Sequence, residues 1–115
     1  MKRKNKLRIG CGAGFSGDRI EPAVLLAEKG ELDYLILECL AERTIALAQK
    51  RKMLDPQKGY DLLLEKRLTP LLPILIKNKN CLITNMGAAN PSEAAHKVVE
   101  LATRQNIKIK IAVIT

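Results

Sequence analysis

The sequence predicts an α/β domain: a mainly parallel sheet with helical crossovers in a Rossmann-like three-layer arrangement. Three observations predict it. Short apolar runs alternate with helical segments, the order that a parallel sheet with helical crossovers imposes. Residues 33–40, DYLILECL, are nearly continuous in apolar side chains, as a strand covered on both faces should be. Apolar residues make up 47% of the chain, yet only two tyrosines and one phenylalanine are aromatic, so Leu, Ile, Val and Ala must build the core. A length of 115 residues suits one domain. It is expected over residues 7–115, behind a disordered basic tail at 1–6.

Taken in order, Leu7–Gly10 reads as a short strand running into a glycine loop. Pro22 opens a helix, because its fixed φ and missing N–H suit the first turn, and Gly30 stops it. The strand over residues 33–40 ends in Glu38–Leu40, and residues 41–53 form a helix whose basic end (Lys50, Arg51, Lys52) complements its dipole. Asp55-Pro56-Gln57-Lys58-Gly59 is a turn. Residues 61–77 are helical but interrupted by Pro70 and Pro73, which predicts one kinked helix or two short ones. Residues 81–85 form a strand and 91–105 an amphipathic helix. Residues 107–115 form a fourth strand, after which the chain stops before the loop that strand should deliver. The expectation is therefore an incomplete part of a larger domain.

Charge and cysteine usage exclude several function classes. The net charge is +8, but Lys2, Arg3, Lys4, Lys6 and Arg8 supply five of those charges. No aromatic residues interleave with them, so the stacking platform of a single-strand binder is missing and nucleic acid is not the expected partner. Apolar runs fall well short of the ~20 residues that span a bilayer, which argues against a membrane. Cys11, Cys39 and Cys81 form no C-x-x-C pair and no secretory leader precedes them, so the chain is expected in a reduced cytoplasmic compartment with its thiols free and buried. The single histidine, His96, lies within a helix, so neither a metal site nor a Ser-His-Asp arrangement is expected.

Parallel α/β sheets gather the loops after their strands on one edge, where ligands bind. Three unusual segments should meet there: 10–19, 38–44 and 84–93. In the first, Gly12, Gly14 and Gly17 satisfy the dinucleotide fingerprint in form, with Glu38 near the expected offset, but Asp18-Arg19-Ile20-Glu21 intervenes before the helix. These glycines, with Ser16, either cradle an anion on backbone N–H groups or serve tight turns with positive φ. Arg19 would clamp a carboxylate or phosphate and Asp18 would act as a base or metal ligand, unless the two form a surface turn pair. Glu38 ends a buried strand, where an unpaired carboxylate is costly and its pKa would rise. It therefore either pairs with Arg43 or Arg19 or works as a general acid or base. Glu42 is a further candidate acid, with the dipole of the following helix as its structural explanation, and Thr44 stands beside it. Asn90-Pro91-Ser92-Glu93 reads as a helix cap with capping-box character. Asn85, Gly87 and Ala88 are not explained by capping and suit a small-residue loop whose amides face a substrate.

Taken together, the strings GCGAGFSGDR, ELDYLILECLAERTIALAQ, DPQKGYD and TNMGAANP resemble, in order and spacing, the N-terminal part of the acyclic terpene utilisation (AtuA) family. The resemblance runs from about Arg8 to the end of the chain. It implies longer relatives, a role in the catabolism of acyclic terpenoids such as citronellol and geraniol through acyl-CoA intermediates, and no stated reaction or cofactor. By position it carries over Gly12, Gly14, Phe15, Gly17, Asp18 and Arg19, then Glu38, Leu40, Ala41, Glu42 and Thr44, then Asp55, Pro56, Gly59 and Tyr60, and finally Thr84, Asn85, Gly87, Ala88, Ala89, Asn90 and Pro91.

Two classes of function follow as expectations. The first is the α/β portion of a catabolic protein that takes a small molecule, an acyl-CoA among the candidates, with Asp18, Glu38 and Glu42 as catalytic residues and Gly12, Gly14, Ser16, Gly17, Arg19, Thr44, Asn85, Gly87, Ala88 and Asn90 as ligand contacts. The second is a non-enzymatic subunit that docks on a companion chain or a second copy. A nucleotide- or phosphate-binding module is the remaining alternative.

Overall fold

The computed structural model describes residues 5–115, so the first four residues of the expected basic tail lie outside the described residues. Along the chain come β1 (Ile9–Ala13), α1 (Glu21–Lys29), β2 (Tyr34–Leu37), α2 (Glu42–Leu54), α3 (Leu64–Asn78), β3 (Cys81–Thr84) and α4 (Pro91–Arg104). The three strands pair in parallel in the order β1-β2-β3. The fold is α/β, as expected, and fits part of a Rossmann-like domain.

Right-handed crossovers that step the same way across a sheet place their helices on the same face. Accordingly α1, α3 and α4 share a single aliphatic core with Leu35 and Leu37 of the central strand. Of the three layers expected, the described residues supply the sheet and one helical layer. The opposite face carries the rows Ile9–Tyr34–Cys81 and Cys11–Ile36–Ile83, with Ile9 63% and Ile83 51% exposed. The expectation that 33–40 is covered on both faces is thus corrected, since both crossovers lie on one side. For the same reason Cys11 and Cys81 are exposed and only Cys39 is a buried thiol.

α3 is one continuous helix rather than two. Pro70 and Pro73 both lie on its exposed side, while Leu64, Leu68, Leu71, Leu72 and Leu75 form its buried stripe. The fourth strand does not form: 107–115 has no ladder to β3. Its alternation is nonetheless expressed, with Ile107 and Ile109 packed against the core and Lys108 and Lys110 exposed. Period two here reports which side faces the core, not a backbone partner.

β1 bears the closest packing. A register irregularity between Cys11 and Ala13 brings Gly12 and Ala13 against the helical layer. A Cβ on Gly12 would stand 2.8 Å from a Leu37 methyl and 2.9 Å from the Cβ of Ala23. Gly12 therefore lets α1 approach the sheet. Gly12→Ala should destabilise the chain by about 1–3 kcal/mol through overpacking, measured by urea denaturation; a loss below ~0.5 kcal/mol, the size of an ordinary surface substitution, would contradict this reading.

Candidate functional site

The three strand-end loops do converge. They meet α2 and the 55–62 loop around a cleft of about 560 Å³. Of the residues singled out from the sequence, Gly14, Ser16, Gly17, Glu38, Thr44 and Ala88 line it. Gly12, Asp18, Arg19, Glu42, Asn85, Gly87 and Asn90 do not. Phe15, Leu40, Leu47 and Leu62 give the cleft an apolar wall, and Arg43, Arg51 and Asp61 add charge that the sequence reading had not assigned to it.

The glycine loop is shaped by Asp18. One carboxylate oxygen accepts the Gly14 N–H at 2.9 Å, the other accepts the Arg19 N–H at 2.8 Å, and the Asp18 N–H donates to the Phe15 carbonyl at 3.1 Å. These backbone donors, Gly14 first, hold the Asp18 carboxyl below the usual carboxylate range. Positive φ is not what the loop requires, because Gly59 is the one glycine with it among the described residues. A Cβ on Gly14 would find only Asp18 Oδ2, at 3.9 Å. The space at Gly14 is open cleft.

Asn85 ties the second loop to the third. Its carbonyl oxygen accepts the Cys39 N–H at 2.7 Å, and its amide donates to Glu38 Oε1 at 2.8 Å, which also accepts the Leu40 N–H at 2.9 Å. Glu38 is exposed, and the Asn85 amide, then the Leu40 N–H, hold its carboxyl below the ordinary glutamate value. The expectation of a raised pKa and an arginine partner is corrected, because the strand ends one residue earlier and delivers Glu38 to the surface. Cys39, by contrast, is buried, and burial pushes its thiol up to about 11, so it is no nucleophile at neutral pH.

The turn at 55–61 proves to be a buttress. Gly59 has φ 109° and packs under α2, where a Cβ would lie 2.8 Å from the Cβ of Lys52. Its carbonyl accepts the Ala89 N–H at 2.9 Å, and the Asp61 N–H donates to the Met86 carbonyl at 2.8 Å. Asn90 turns its amide onto the Pro56 and Lys58 carbonyls, both at 2.9 Å, and makes no cap bond to α4. The expected capping box is therefore absent: a buried asparagine with two carbonyls in reach serves the loop instead. Gly87 is required by Pro91, whose Cα lies 2.9 Å from where a Cβ would stand.

This buttress places Asp61, buried, where its carboxylate accepts from Ser16 Oγ and the Leu63 N–H, both at 2.8 Å. Beneath the glycine loop lies Arg67, 1% exposed, whose Nη2 donates to the carbonyls of Ser16 at 2.9 Å and Asp18 at 2.8 Å. Sequence reasoning missed both. A signal existed for Arg67: it is the charged residue on the otherwise leucine stripe of α3.

Among the described residues no group of His, Cys, Asp and Glu could hold a metal ion. No helix among them is long and apolar enough to cross a membrane.

The pKa of Glu38 makes the Asn85 bridge measurable. A folded-state value below the unfolded one stabilises the fold above the unfolded pKa, and that contribution is lost as pH falls through the folded value. Asn85→Ala should move the Glu38 carboxyl titration, followed by NMR, upward toward the ordinary glutamate value; an unchanged titration would contradict the bridge.

Residues 7–115 match the family model described as acyclic terpene utilisation family protein AtuA. No curated protein and no solved structure matches the chain.

Proposed function

Because the chain belongs to the AtuA family of acyclic terpene utilisation, we propose that its cleft binds the acyl portion of an acyclic terpenoid or a related acyl-CoA compound during catabolism. The observation that carries this reading is the cleft itself: a cavity of about 560 Å³, walled by Phe15, Leu40, Leu47 and Leu62 and floored by polar groups of three loops. Apolar enclosure with a few fixed polar groups is the usual make-up of a small-molecule site. In this reading Glu38, which lines the cleft, is the side chain that does chemistry. Its carboxylate is ionised at neutral pH, so it acts as a proton or hydrogen-bond acceptor and not as a general acid. Asp18 serves by shaping the loop. Glu42, outside the cleft, has the dipole of α2 as its simplest role.

Thermal unfolding tests the reading, with geraniol, citronellol, the corresponding acids and their CoA thioesters as ligands. A ligand at about 100 times its Kd stabilises by ~2.7 kcal/mol, so at least one of these should raise Tm by several degrees. Leu47→Asp should abolish the rise without lowering the ligand-free Tm. No rise with any of them would contradict the proposal.

A second reading, a subunit completed by a second copy of this chain, is favoured by the uncovered sheet face, where Ile9 and Ile83 are more than half exposed. Under it, Ile9→Lys with Ile83→Lys should reduce the mass seen by sedimentation to that of a monomer. Identical sedimentation of the variant and the parent chain would contradict this second reading.

A further inference from the structure

The cleft is asymmetric in how its charges are satisfied. Its two acids are engaged from within: Asp61 by Ser16 Oγ and the Leu63 N–H, Glu38 by the Asn85 amide and the Leu40 N–H. Its two arginines have no internal counter-ion among the described residues. Arg43 makes no hydrogen bond or ion pair among them, and Arg51 spends Nη2 on the Tyr60 carbonyl at 3.2 Å, leaving Nε buried and unpartnered. Both project from α2 on one stripe with Leu47 between them, at i, i+4 and i+8, and all three line the cleft.

The facing wall is the glycine loop. Among the described residues nothing accepts from the backbone N–H groups of Phe15, Ser16 or Gly17, and all three residues line the cleft. Successive backbone N–H groups in a turn, as at Ser16 and Gly17, can form an anion-binding concavity, and a guanidinium matches planar or tetrahedral oxyanions with paired donors.

We propose that the cleft holds an oxyanion, carboxylate or phosphate, between the Arg43–Arg51 stripe of α2 and the N–H groups of Phe15–Gly17, with the ligand's apolar part against Leu47, Leu62 and Phe15. This deepens the reading of the cleft as a small-molecule site and rests on it. Arg43 and Arg51 select the charged head, and the leucines accept whatever tail follows.

The test uses the full chain and three simple probes at matched ionic strength: octanoate, 1-octanol and inorganic phosphate, followed by calorimetric titration. Octanoate should bind at least tenfold more tightly than 1-octanol. Arg43→Met, a change at an exposed side chain with no internal partner, should weaken octanoate at least tenfold and leave 1-octanol unchanged; Arg51→Lys, which keeps the charge but removes Nε, should also weaken octanoate. Phosphate that displaces octanoate supports a site open to both oxyanions, and octanoate binding that phosphate does not disturb supports a carboxylate site. Equal binding of octanoate and 1-octanol would overturn the oxyanion proposal while leaving an apolar small-molecule cleft standing. Binding of neither octanoate nor phosphate would overturn it as well, and terpenoid binding in the thermal experiment would then show that the cleft itself survives.

Discussion

One buried cation organises the site end of this molecule. Arg67 projects from the leucine stripe of α3 into the space beneath the glycine loop and grips two of the loop's carbonyls. Nε and Nη1 have no partner among the described residues. Burying a guanidinium without an ion-paired carboxylate is unfavourable, and here the loop's carbonyls and the nearby Asp18 carboxylate offset that cost. The same contact ties the chain between β1 and α1 to α3.

From that tether the other walls follow in sequence. Asp18 closes the loop over Arg67 and Ser16 reaches across to Asp61, which the 55–61 buttress has positioned against the loop after β3. Asn85 then returns from that loop to the end of β2. Apart from the closure of the loop by Asp18 onto Gly14, these bonds join segments distant in the chain. The cleft is therefore a property of the hydrogen-bonded loops as a set, with the sheet only bringing their ends to one edge. It also separates two kinds of residue that look alike in the sequence: Asp18, Asn85, Gly87 and Asn90 build the walls, whereas Glu38, Arg43, Thr44 and Arg51 face the space between them.

How much of this was legible in the chain depends on the kind of signal. Alternating apolar runs and helix signals located all seven elements to within a few residues, because local patterning and termination chemistry act over short range. The convergence of three loops followed from parallel topology. What patterning could not reveal was the direction of each long-range bond. A Pro-Gly turn at 55–59 looks like any surface turn until Gly59 and Asn90 are seen packing it under α2. Asn90 and Glu93 have the composition of a cap, yet the asparagine's stronger partners lie 32 and 34 residues away. Arg67 was readable in principle as a charge on a leucine stripe. The final alternating segment misled for a related reason, because alternation describes burial and says nothing about which backbone, if any, pairs with it.

Arg67 holds the glycine loop in place, and backbone ¹⁵N relaxation of Phe15, Ser16 and Gly17 in the parent chain and in Arg67→Met tests this directly. Order parameters should lie near the rigid value of about 0.85 in the parent and fall below ~0.6 in the variant, with β2 unaffected. Loop order parameters that stay rigid once the guanidinium is gone would contradict it.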